Sequence, residues 1–101
     1  MSESISKTPV SVSNALKVVR LRVRAGSAVP EHHSNVDVVV TVVRGTGRFS
    51  IAGSEREIAP GEVIVMRPRE PHAIVATSDL ELVVVHARLA VDGDAARCGH
   101  D

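Results

Sequence analysis

From residue 16 to residue 89 apolar side chains recur at every second position, and no stretch beyond Asn14 shows the 3.6-residue recurrence of an amphipathic helix. A period of two puts successive side chains on opposite faces of an extended strand, so the pattern confines the chain to the β class. The alternation is clearest in Leu16–Arg24, where Val19, Leu21 and Val23 share one face and Arg20, Arg22 and Arg24 the other. Nineteen valines supply much of it, and valine, stiff at χ1, packs well on a pleated surface. Asp37–Arg44 is apolar at nearly every position, as a strand covered on both faces requires.

Turn signals divide the rest. Gly45 and Gly47 interrupt the pattern, and Arg48–Ala52 resumes it with Phe49 and Ile51 in phase. Gly53-Ser54 predicts a hairpin turn with Glu55–Ile58 returning, and Pro60-Gly61 a further turn before Glu62–Met66. His72–Ala76 and Leu80–Leu89, separated by Thr77-Ser78-Asp79, complete about seven strands. Short strands at this spacing indicate an all-β sandwich or barrel. The Ser-rich segment 1–14 and the polar segment 91–101, with its Asp92-Gly93-Asp94 turn, are expected to be loose ends around one domain over residues 15–90.

Composition then narrows the partners. Twelve Lys and Arg balance twelve Asp and Glu, and Phe49 stands alone without Trp or Tyr. Nucleic acid is therefore not an expected partner, since it calls for a basic surface and stacking rings. No apolar run reaches the roughly 18 residues of a membrane span, so no membrane partner is expected. Residues 1–14 lack the continuous apolar stretch of a secretory signal, and a single cysteine, Cys98, rules out an internal disulfide; both favour a cytoplasmic location.

The chemistry lies with the histidines. Four of the five fall in or beside expected strands: His32, His33, His72 and His86. Gly26 stands five residues before His32, Pro30-Glu31-His32 precedes an apolar strand, and Gly45 follows His32 by thirteen positions. Gly61 precedes the pair Pro71-His72, with His72 eleven positions on. In these two motifs the chain resembles the cupin superfamily, specifically its small single-domain members, over roughly Leu16–Leu89. The resemblance implies a double-stranded β-helix, or jelly-roll barrel, around a narrow cavity. It also implies a metal site of three His and one Glu.

The chain departs from that ligand set. The position two after His32, where the family has its second His, is Ser34, and the family's Glu falls at Val38, or at Val39 with the longer spacing. His33 is adjacent to His32 and in a regular strand points the opposite way, so only a bulge or an irregular loop turns both inward. Asp37 is one residue out of register for the missing Glu. His86 shares parity with Leu82 and Val84, which predicts that it enters the same pocket as His32 and His72. His32, His72, His86 and His33 are thus the candidate metal ligands, and Ser34 and Asp37 candidate pocket residues. No nucleophile elbow or catalytic triad is present to name catalytic residues.

Three readings stay open. In the first, the barrel binds a small-molecule ligand, a divalent metal (Zn, Fe, Mn or Ni), or both, through His32 and His72. In the second it is a metal-dependent enzyme of dioxygenase or isomerase type. In the third it is a non-catalytic, vestigial barrel. The apolar strand Asp37–Arg44, together with the resemblance, predicts a homodimer that buries one sheet or exchanges an N-terminal strand.

Overall fold

The computed structural model describes residues 4–88, and the segment 91–101 lies outside them. Nine strands form: β1 (Ile5–Val12), β2 (Leu16–Val23), β3 (Ala28–His32), β4 (Val38–Arg44), β5 (Gly47–Ile51), β6 (Ser54–Ile58), β7 (Val63–Met66), β8 (His72–Ala76) and β9 (Leu80–Ala87). They make two antiparallel sheets, one in the order β1-β2-β9-β4-β7 and the other β3-β8-β5-β6. The all-β class read from the alternation forms, and the two packed sheets are the jelly-roll that the resemblance implies. Among the described residues no helix is long and apolar enough to cross a membrane.

The inward phases of both sheets meet in one core. Phe49 and Leu82 are fully buried at its centre, with Met66, Ile58, Leu80 and Val40 around them. At β4 the alternation resolves into Val38, Val40 and Val42 inward and Val39, Thr41 and Val43 outward. The arginine stripe of β2 lies on the outer face, where Arg20 bonds Glu81 of β9 and Arg22 approaches the same carboxylate at 3.8 Å.

Two strands were not expected. The composition of residues 1–14 predicts a loose end, yet Ile5–Val12 pairs with β2 along its length, and Ala28–His32 pairs with β8. Both are sheet edges and both carry a proline, Pro9 and Pro30. An edge strand leaves one side of its backbone unpaired, so it tolerates proline and polar side chains that hide its period. Each also has a register shift beside its proline, between Pro9 and Ser11 in β1 and between Val29 and His32 in β3.

The turn between β5 and β6 falls one residue earlier than expected, at Ala52-Gly53, with φ of 49° and 86°. Two positive φ values make the two-residue turn whose twist matches a hairpin.

Candidate functional site

The shift in β3 creates the site. Val29 faces Ile74 of β8, so an unbroken register would set Glu31 opposite His72; the extra residue sets His32 there instead. Val29 and His32, an odd number of positions apart, thereby both line the cavity. The two histidines are not on opposite walls but neighbours on one wall, with ring centroids 4.3 Å apart and planes at 69°.

Their tautomers follow from backbone contacts. The His32 Nδ1 lies 2.8 Å from the Pro30 carbonyl oxygen, and the His72 Nδ1 lies 3.0 Å from that of Glu70. A carbonyl can only accept, so each Nδ1 carries the hydrogen and donates it. In a neutral ring the other nitrogen is then bare. The two bare Nε2 atoms stand 3.1 Å apart. Two lone pairs at that distance repel unless a proton or a metal ion lies between them.

Burial is the main force on His72, which is 5% exposed. It holds the imidazole below its ordinary pKa of 6.5, against the pull of the Glu70 carbonyl, which favours the charged ring; the charges of His32 and His33 act in the same sense as burial. The Glu70 carboxylate is itself turned back to accept the Arg67 backbone N–H at 2.8 Å.

The pair opens on two connected compartments. An inner chamber of about 150 Å³ is walled by apolar side chains, among them Leu21, Val40, Phe49, Met66 and Ile74. An outer vestibule of about 380 Å³ is bounded by His33, Ser34 and Arg88. His32, His72 and His86 line both, with Lys7 and Lys17. A shallower cleft of about 600 Å³ lies at the far end of β2 and β9, against Arg22, Arg44 and Glu81.

The candidate residues divide accordingly. His32 and His72 touch, and His86 reaches the same cavity from the other sheet, where it faces Lys17 and Val38 in register. His33 and Ser34 are at the vestibule. Asp37 lines neither compartment, and its carboxylate lies 3.5 Å from Arg67. Val38, at the position of the family's Glu, points into the chamber and is 2% exposed, whereas Val39 points out.

Lys7 and Lys17 were missed. Lys7 lies in the segment read as loose. Lys17 precedes Val19 and Leu21 in the inward phase of β2, the same parity signal that singled out His86.

Among the described residues no three His, Cys, Asp or Glu side chains gather as a metal-holding group. The donors present are two imidazoles, one fewer than the three protein ligands of most catalytic zinc sites. They nonetheless suit a divalent ion: the 3.1 Å separation is what two metal–nitrogen bonds of about 2.0–2.1 Å span when they meet at roughly 100°. The carbonyl-anchored Nδ1–H groups are the usual outer support of such ligands.

Residues 17–88 match the family described as Cupin domain. The chain belongs to this family. No curated protein matches the cupin in sequence. Among solved structures it is similar to a conserved protein of unknown function from Streptococcus pyogenes, at 23% identity and a TM-score of 0.76, over 82% of this chain and 73% of that one. It is also similar to KdgF from Halomonas sp., at 22% identity and a TM-score of 0.80, over 90% and 83% of the two chains. A third likeness is to the salicylate 1,2-dioxygenase of Pseudoaminobacter salicylatoxidans in complex with gentisate, at 17% identity and a TM-score of 0.80. The cupin spans 25% of that enzyme's length. These likenesses are of fold.

Proposed function

We propose that this cupin holds a divalent metal ion between His32 and His72 and binds a small-molecule ligand in the chamber beside them. The observation that carries the reading is the pair of bare Nε2 atoms 3.1 Å apart, each fixed by a backbone carbonyl on the far side of its ring. An ion held there has open coordination positions and supplies Lewis acidity to a ligand oxygen. Val38 narrows the chamber where the family has its carboxylate, so the protein neutralises less of the ion's charge and leaves more to the ligand.

The test is thermal unfolding of untagged protein with Zn, Fe(II), Mn or Ni, beside elemental analysis of the purified chain. An ion at 100 times its dissociation constant stabilises the native state by about 2.7 kcal/mol. For a domain of this size that moves Tm by more than about 10 °C. His32→Ala and His72→Ala should each abolish the shift. No shift with any ion, and no bound metal on analysis, would overturn the metal and favour a ligand pocket without one. Ion-dependent O₂ uptake or isomerase turnover would make the cupin an enzyme.

The same proposal includes a homodimer through the outer face of the five-stranded sheet. Val18, Val85, Val39 and Val65 lie side by side across β2, β9, β4 and β7, and the next row is Arg20, Val83, Thr41 and Val63, with Arg20 paired to Glu81. Val63 and Val65 are more than half exposed. An uncharged row meets its own copy about a two-fold axis without burying like charges. Light scattering should give about twice the 10.7 kDa chain mass, and Val85→Lys should halve it; a wild-type monomer at micromolar concentration overturns the pairing.

A further inference from the structure

The charge distribution of the cavity is one-sided in a chain whose charges balance. Besides the histidines, the charged side chains along the two compartments are Lys7, Lys17 and Arg88; among the described residues no Asp or Glu lines either one. Elsewhere acids and bases are paired: Arg20 and Arg22 with Glu81, Arg56 with Glu62, Arg67 with Asp37. Neither Lys7 nor Lys17 has a carboxylate within ion-pair distance among the described residues. Lys7 and Lys17, exposed but on the inward phases of β1 and β2, thus stand along the rim of an apolar chamber that no Asp or Glu among the described residues lines.

We propose that the ligand of this cupin is an organic anion. Its acidic head sits between Lys7 and Lys17 at the mouth, and its apolar body, no larger than one six-membered ring, fills the chamber. This deepens the ligand-binding reading above and rests on it. The size follows from the chamber. Its volume of about 150 Å³ equals that of an engineered apolar cavity that admits benzene. The head group follows from the charges: an anion entering a mouth lined by one sign of charge is drawn in, and a cation is repelled. A neutral molecule of the same shape gains only the apolar contact.

Benzoate and benzamide are the probes, alike in shape and different in charge. Binding is measured calorimetrically on the full chain, once in EDTA and once with the ion that gives the largest thermal shift. Benzoate should bind in both conditions and benzamide at least about tenfold more weakly. Acetate, with the charge but without the ring, should be roughly a hundredfold weaker than benzoate. Lys7→Gln and Lys17→Gln should each weaken benzoate about threefold to tenfold, while Lys7→Arg retains it and benzamide is unaffected. Raising salt from about 0.05 to 0.5 M should weaken benzoate alone.

Equal binding of benzoate and benzamide overturns the proposal, as does indifference of benzoate to both Gln variants. Absence of benzoate binding up to about 10 mM, weak for a nine-atom ligand, overturns it too. The two readings fail separately. Benzoate selectivity in EDTA without any ion-induced stabilisation removes the metal and keeps the anion. An ion-induced shift lost in His72→Ala, without benzoate selectivity, does the reverse.

Discussion

Val38 is where this chain parts from the ligand set of its family, so Val38→Glu asks whether the pocket is a metal site short of one donor. Val38 is 2% exposed, points into the chamber from β4 and lies in register between His86 and Met66. Replacing it removes about 1.5–2 kcal/mol of apolar burial. It also brings a carboxylate out of water, partly compensated by the cationic lining, for a total near 3 kcal/mol. At about 4–8 °C per kcal/mol, Tm of the ion-free variant should fall by roughly 12–24 °C. With an ion at 100 times its dissociation constant about 2.7 kcal/mol returns, and the variant should recover to within a few degrees of the ion-free wild type. Val39→Glu is the parity control: its side chain points away from the cavity, so its stability should not respond to the ion beyond the wild-type response. The assay is differential scanning fluorimetry with each ion, and titration of the ion should show V38E binding it about tenfold or more tightly than wild type. If V38E gains nothing over wild type, or V39E gains as much, the placement of the two histidines and Val38 around one point is wrong.

Three further perturbations test the frame around the site. His72 has its pKa lowered by burial, so as pH falls through 6.5 the unfolded chain takes up a proton before the folded one does. Stability from this group is complete above that value and drains away below it; Tm measured in EDTA from about pH 7.5 to 5.5 should fall more steeply in wild type than in His72→Gln. Gly45 has φ of 88°, and a Cβ there would collide with the Asp79 carbonyl; Gly45→Ala should cost about 3 kcal/mol or more in urea unfolding. Ala52 sits at a φ of 49° in a turn that favours Asn-Gly, so Ala52→Asn should stabilise by about 0.5–1 kcal/mol in the same assay.

The parts of the fold legible in the sequence are those where burial decides every second residue. Strands β2, β4, β5 and β8, each lying inside a sheet, announce themselves through Leu21, Val40, Phe49 and Ile74. The edges β1 and β3 do not, because a residue such as Thr8 or Glu31 faces solvent and owes nothing to the core. The site is legible to the same degree. His72 and His86 stand in the inward phase of regular strands, so parity alone predicts their direction. His32 does not, since its direction depends on one extra residue in β3, and no periodicity announces a bulge beside a proline. Nor does composition reveal that Lys7 and Lys17 share a cavity: a net charge of zero averages over the acids elsewhere on the surface.

If the cupin holds both the proposed metal and the proposed anion, the lack of Asp and Glu along the cavity among the described residues couples the two. A divalent ion on two neutral imidazoles keeps its full charge beside Lys7 and Lys17, which repel it; an anionic ligand removes that repulsion and supplies the donor that Val38 does not. Each should therefore raise the affinity of the other, and by the same factor, since linkage is reciprocal. A coupling of about 1.4 kcal/mol, tenfold, is the scale of one partly solvated charge pair at close range. Calorimetric titration of Zn with and without saturating benzoate, and of benzoate with and without Zn, measures both factors. V38E should lose most of the coupling, because its own carboxylate then does what the ligand does in the wild type. Independent affinities in the wild type, or a coupling that V38E leaves intact, would mean that the ion and the anion do not share the mouth of the barrel.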